Sequence, residues 1–192
     1  RSNSLRKVKT FHDAEARARL AEMNHKAGQE AKRMAWAKEL MEAERNGGSE
    51  RSDRTRYLGA QQALLLAGPV DAAYRQVKLV EPLKKNLKLK KEKMQSALAA
   101  YGTAADYGVA EVATAAVYRT GDLYYDFSQA LLKSQRPRGL KAEELEQYNV
   151  LLEEQAFPFE EKAIEIHEIN VRRTRSDIYD QWVKSSFSAL TK

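Results

Sequence analysis

Between Gly108 and Pro137 the chain carries Val109, Ala113, Ala116, Thr120, Leu123, Phe127 and Leu131 at spacings of three and four residues. That spacing lays one continuous apolar stripe along a helix. Arg136-Pro137-Arg138-Gly139 then forms a strong stop signal. A stripe of this length cannot face water alone, so neighbouring helices must cover it. Ala113, Ala116 and Gly121, on or beside the stripe, are small enough to let such neighbours approach closely. No strand-like alternation of useful length competes with a helical reading.

The chain's 192 residues suffice for one ordinary domain or a short solenoid of stacked helices. Hydrophobic residues at 43% support an ordered core, while 31% charged residues with only four prolines and nine glycines predict helices with solvated outer faces. There is no run of about 18 apolar residues, so no membrane span is expected. RSNSLRKVKT lacks the apolar core of a signal peptide. The opening on Arg1 in place of methionine suggests a segment of a longer or processed protein. With no cysteine there is no disulfide framework, thiol catalysis or cysteine-ligated zinc, and both cytoplasm and periplasm stay open.

In chain order, Phe11 to about Glu44 is rich in helix formers, with a thin apolar face of Leu20, Met23, Ala27, Ala31, Met34 and Met41. It should end at Asn46-Gly47-Gly48, leaving 1–48 as an N-terminal basic helix that docks on the rest or continues a solenoid, and 49–192 as a helical domain. Ser52 or Asp53 is expected to cap a helix running to a break at Gly68-Pro69, followed by a shorter one to about Val80. After Pro82, Leu83, Leu87, Met94, Leu98, Tyr101 and Ala105 repeat at about 3.5 residues. A helix from Ala142, with Leu145, Tyr148, Leu152 and Ala156 on one face, should kink or break at Pro158, with Ala163, Ile166 and Ile169 on its later face. Ser176 should cap a last helix whose apolar face is Tyr179, Trp182, Val183, Phe187 and Leu190. The fold class is all-α, with antiparallel helical hairpins stacked as a short solenoid that includes some long, divergent helices.

Residues 57–82 resemble a tetratricopeptide repeat, with Leu58-Gly59 on a first helix, Tyr74 and Val77 on a second, and Pro82 closing the unit. Gln62 stands in place of the usual tyrosine and Val70 in place of the usual alanine. Val117, Gly121 and Tyr124 repeat the first-helix spacing, with Thr120 replacing the leucine. More broadly, PLKKNLKLKKEKMQSALAAYGTAADYGVAEVATAA, LLKSQRPRGLKAEELEQY, LLEEQAFPFEEKAIEIHEIN and YDQWVKSSFSAL resemble the C-terminal part of large proteobacterial tetratricopeptide-repeat proteins. That resemblance implies a TPR-like solenoid in a periplasmic or envelope-associated adaptor. It also implies links to TonB-type energy transduction or envelope-spanning motility machines.

Charge is distributed unevenly along the chain. Residues 1–56 carry 14 Lys and Arg against 9 Asp and Glu, 57–110 carry 8 against 4, and 111–192 carry 11 against 14. The basic front could steer an acidic partner, a nucleic acid or an anionic membrane surface, or pair with other parts of a parent protein. Lys84, Lys85, Lys88, Lys90, Lys91 and Lys93 cluster on one predicted helix. A solvated face explains them most simply and an acidic protein partner comes second. Nucleic acid or lipid is the weakest reading, because no aromatic platform is interleaved with the lysines. Tyr118 and Tyr125 lie off the centre of the apolar stripe and are the better candidates for exposed contacts, whereas Tyr124 adjoins the core. Lys84, Lys85, Lys88, Lys91, Tyr118 and Tyr125 therefore form the candidate partner-binding surface.

Around His167 stand Glu153, Glu154, Glu160, Glu161, Glu165 and Glu168, but a di-iron bundle needs two Glu-x-x-His pairs and only Glu22-Met23-Asn24-His25 fits. No Gly-rich phosphate loop, H-E-x-x-H or G-x-S-x-G motif is present. No catalytic, metal or cofactor site is expected. The expected function is noncatalytic protein binding or scaffolding, and the alternative is a basic helical module for nucleic acid or an anionic membrane surface.

Overall fold

A computed structural model describes residues 2–191, with the side chains of residues 12–191. The described residues are all-helical, with helix over 83% of the sequence and no strand among them. Among the described residues seven α-helices follow in order: α1 (Ser2–Lys26), α2 (Glu30–Arg45), α3 (Asp53–Gln76), α4 (Leu83–Ala105), α5 (Ala110–Leu132), α6 (Ala142–Arg172) and α7 (Gln181–Leu190). They divide into two compact units. One takes the chain to Pro69 together with Ala100–Ala113; the other takes Val70–Ala99 and the chain from Thr114 onward.

In the first unit, α1 packs on α2. The single helix expected over 11–44 is instead two, separated at Ala27-Gly28-Gln29, where Gly28 adopts φ +68. Glycine reaches that left-handed conformation without the steric cost of a Cβ, so it ends a helix whose composition would otherwise continue. Ala14, Leu40 and Leu58 form a small buried cluster with Ala18 and Tyr57 against it. Glu44 is buried and paired with Arg51 at 2.6 Å. Gly59 leaves room for the Tyr107 ring, where an added Cβ would lie 2.9 Å from Cε1.

The break expected at Gly68-Pro69 does not occur: α3 runs straight through it. Residues 57–82 are therefore not a helical hairpin turning at that point. Both Gly68 and Pro69 are exposed, while Ala63, Ala67, Asp71 and Tyr74 are buried on the other side of the helix. Proline removes one helical donor, and burial along the opposite face keeps the helix continuous despite it.

The second unit is built around α5. Ala116, Leu123, Phe127 and Leu131 of the predicted stripe are all buried, and the helix ends at Leu132, before the Arg136-Pro137 stop. Helix α6 is continuous through Pro158, so the expected kink or break does not interrupt it. Of its predicted faces, Leu152, Ala156, Ala163 and Ile166 are buried, whereas Leu145 and Ile169 are exposed. Phe159 of α6 packs on Phe127 with ring centroids 4.6 Å apart. The final helix begins later than Ser176 implied. Asp180 is its N-cap, accepting from the backbone N–H groups of Trp182 and Val183 at 2.9 Å each. In α7, Val183 is buried as expected and Phe187 is exposed, as is Tyr179 just before the helix.

Candidate functional site

Lys84, Lys85, Lys88 and Lys91 are all exposed on α4. Positions three, four and seven apart share a helical face, which brings Lys84, Lys88 and Lys91 together. With Leu87, Glu92 and Gln95 they line a shallow depression of about 360 Å³. Among the described residues the carboxylate paired with these lysines is Glu92, 3.9 Å from Lys88 in an exposed pair that contributes little. What remains is a positive face with the Leu87 side chain beside it. The two tyrosines lie on α5. Tyr125 is exposed, whereas Tyr118 is half-buried with its ring 5.5 Å from both His167 and Trp182.

Lys90 does not belong with its neighbours. The sequence cluster included it, but it is only 3% exposed and points inward. Its ammonium lies 3.6 Å from Asp126, donates to the Val77 carbonyl at 3.2 Å and sits 4.0 Å from the centre of the Tyr74 ring. Burial pushes its pKa down, and Asp126 partly offsets that. Arg75 adjoins the same group, bonded to Asp71 at 2.8 Å and Asp122 at 2.7 Å. A cavity of about 460 Å³ opens beside Arg75, Lys90 and Asp126. Arg75 and Lys90 are paired with Asp71, Asp122 and Asp126 as a structural network, while Lys78 and Lys133, both exposed, leave the rim of the cavity positively charged.

A second polar cluster joins α5, α6 and α7. His167 Nδ1 is 3.3 Å from Ser186 Oγ, and Asn170 donates to Ser186 Oγ at 3.0 Å and to the Thr114 carbonyl at 2.9 Å. Thr114 Oγ1 in turn donates to the Asp180 carboxylate. Serine and histidine within hydrogen-bond reach are the material of nucleophilic catalysis. Here, however, Ser186 is fully buried and His167 only 4% exposed, so no substrate reaches the pair as it stands. Burial lowers the His167 pKa against the opposing pull of Asp122. The sequence singled out His167 only for the glutamates around it and gave no sign of this cluster, because its members come from residues 114, 167, 170, 180 and 186, far apart in the chain.

In the first unit, a cavity of about 540 Å³ is lined by both signs of charge, including Glu15, Arg19, Glu22, Arg33 and Arg54. Arg54 holds Glu15 in a two-pronged bond of 2.6 and 3.2 Å, which draws the Glu15 carboxyl below its ordinary pKa. Among the described residues, no three histidine or acidic side chains converge to hold a metal ion, and no helix is long and apolar enough to cross a membrane. Comparison with protein-family models, with curated proteins and with solved structures finds no match for the chain.

Proposed function

We propose that the chain is a noncatalytic protein-binding segment whose α4 lysine face docks an acidic surface of a partner protein. The observation that carries this reading is the exposure of Lys84, Lys85, Lys88 and Lys91 on α4, three of them sharing one depression with Leu87. Charge on such a face speeds and orients encounter, and an apolar neighbour adds contact area once docked. Tyr125, exposed on α5, is a further candidate contact. The sequence resemblance to proteobacterial tetratricopeptide-repeat proteins supports a TPR-like solenoid made from the long helices, with residues 57–82 outside its repeat units. The same resemblance supports an adaptor role in a periplasmic or envelope complex, of the TonB-type or motility-related kind.

A photo-crosslinking residue at Lys88 tests the proposal in envelope preparations. One discrete protein adduct is expected, and it should disappear when Lys84 and Lys91 are changed to glutamate. The same lysines are what a nucleic-acid or anionic-membrane reading would use. Generic DNA or anionic vesicles that bind at low salt and release steeply as salt rises would replace the protein partner with that second reading.

A further inference from the structure

Helix α6 presents a second surface, of opposite charge. Val150, Phe157 and Ile164 are 50%, 56% and 50% exposed, and they stand seven residues apart. Seven residues is close to two helical turns, so the three side chains form one row about 21 Å long. Four residues after each come Glu154, Glu161 and Glu168, all exposed. Glu146 and Glu153 border the other side of the row. From 142 to 161 the chain has seven acidic residues and no basic one. Glu168 has Arg172 at 3.6 Å, but no cation pairs with Glu154 or Glu161 among the described residues. The opposite side of the helix is occupied by its own unit: Leu152, Ala156, Ala163 and Ile166 are buried, and Glu160 accepts from Ser128 at 2.7 Å.

Three large apolar side chains held half in water and in register, with Glu154 and Glu161 beside them unpaired, form a narrow apolar strip with an acidic edge. We propose that this row is a docking strip for an amphipathic helix of a partner protein, one whose apolar row is bordered by lysine or arginine. Charge complementarity selects that occupant. An anionic bilayer would be repelled by the glutamates. A second copy of this chain offers lysines on α4 but not the matching row, since Leu89 at 38% is the only α4 residue among the large exposed hydrophobics. The strip lies on a different helix from the lysine face, so either surface can fail its test without deciding the other.

The test uses the full chain and two fluorescent helical peptides of about 21 residues. Both carry leucine at every third or fourth position; one borders the leucines with lysine, its twin with glutamate. The lysine peptide should bind at low salt, and the glutamate twin at least about tenfold more weakly. Phe157→Ser, at an exposed position, should weaken the lysine peptide about tenfold or more while leaving the urea midpoint nearly unchanged. Glu154→Lys with Glu161→Lys should reverse the preference between the twins. Equal affinity for both peptides, no binding of the lysine peptide at low salt, or insensitivity to Phe157→Ser would overturn the proposal. So would sedimentation showing a dimer of the chain that Phe157→Ser dissociates, because the occupant would then be a second copy.

Discussion

The imidazole of His167 lies directly over Gly121, so closely that a Cβ there would sit 2.7 Å from Nε2 and 2.8 Å from Cε1. Helices α5 and α6 approach at this point because one of them carries no side chain. The ring has little freedom to retreat, since it packs against Tyr118 and bonds Ser186. Gly121→Ala should therefore cost about 1–3 kcal/mol through overpacking, despite the better helix propensity of alanine. Urea denaturation of the single variant and of Gly121→Ala combined with His167→Ser checks this. The double variant should recover part of the loss, and a Gly121→Ala protein as stable as the parent would contradict the close fit.

The same histidine makes stability depend on pH. Burial lowers its pKa in the folded chain below the ordinary 6.5, so between those two values the unfolded chain holds a proton that the folded chain does not. Stability should thus be fully present above about pH 6.5 and decline as pH falls toward the folded value, by at most about 1.4 kcal/mol per pH unit. Glu15, with its lowered carboxyl pKa, adds a further loss only near and below its ordinary value of 4.5. Urea midpoints from pH 7.5 to pH 5 should slope in the parent and flatten in His167→Gln. An equal slope in both would assign the dependence elsewhere.

The α5 stripe was legible from spacing alone because a three-four repeat of apolar residues has one helical solution. Local signals for breaks were less decisive. Gly68-Pro69 and Pro158 read as interruptions, yet both prolines are exposed and the helix faces opposite them are buried, so packing outweighs a missing donor. Gly28 did end a helix, because its φ of +68 needs glycine and its neighbours could not continue around it. Lys90 was misplaced for a different reason. Lysines on every side of α4 hide which one turns inward, and the answer depends on Asp126 and the Val77 carbonyl, which are remote in sequence. The lysine face itself was readable, and so was the acid content of α6. That Val150, Phe157 and Ile164 stay uncovered was not, since seven-residue spacing suits a buried face equally well.

Continuity of α6 through Pro158 gives a prediction of its own. An exposed proline inside a helix lacks one donor and crowds the carbonyl four residues before it. Pro158→Ala should restore the bond to Glu154 and raise stability, by less than the roughly 3 kcal/mol difference in helix propensity because proline also restricts the unfolded chain. Thermal unfolding would show a higher midpoint. A lower one would mean that a bend at Pro158 is needed to seat Phe159 on Phe127.

Asp180 has two tasks, capping α7 through two backbone bonds and accepting the Thr114 hydroxyl from α5. Asp180→Ala removes both and should cost about 1–2 kcal/mol for the cap plus about 1 kcal/mol for the side-chain bond. Asp180→Ser can still cap, so it should lie between the parent and the alanine variant. Hydrogen exchange localises the effect: amides of Val183 to Ser186 should lose protection in the alanine variant before those of Leu123 to Phe127 do.

Lys90 separates the value of a charge pair from the cost of breaking one. Removing the partner of a fully buried ion costs about 3–5 kcal/mol, whereas replacing both charges by apolar groups of similar size is often neutral. Asp126 is 36% exposed, so water replaces part of what Asp126→Asn removes, and that change should cost only about 2 kcal/mol. Lys90→Met fills the same space, gives up the Val77 carbonyl bond and leaves Asp126 with Arg75 at 3.5 Å, so it should fall within about 1 kcal/mol of the parent. The decisive measurement is the double variant. If Lys90→Met with Asp126→Asn is more stable than Asp126→Asn alone, the stranded lysine is the source of the loss; if the two costs simply add, Lys90 and Asp126 are not energetically coupled.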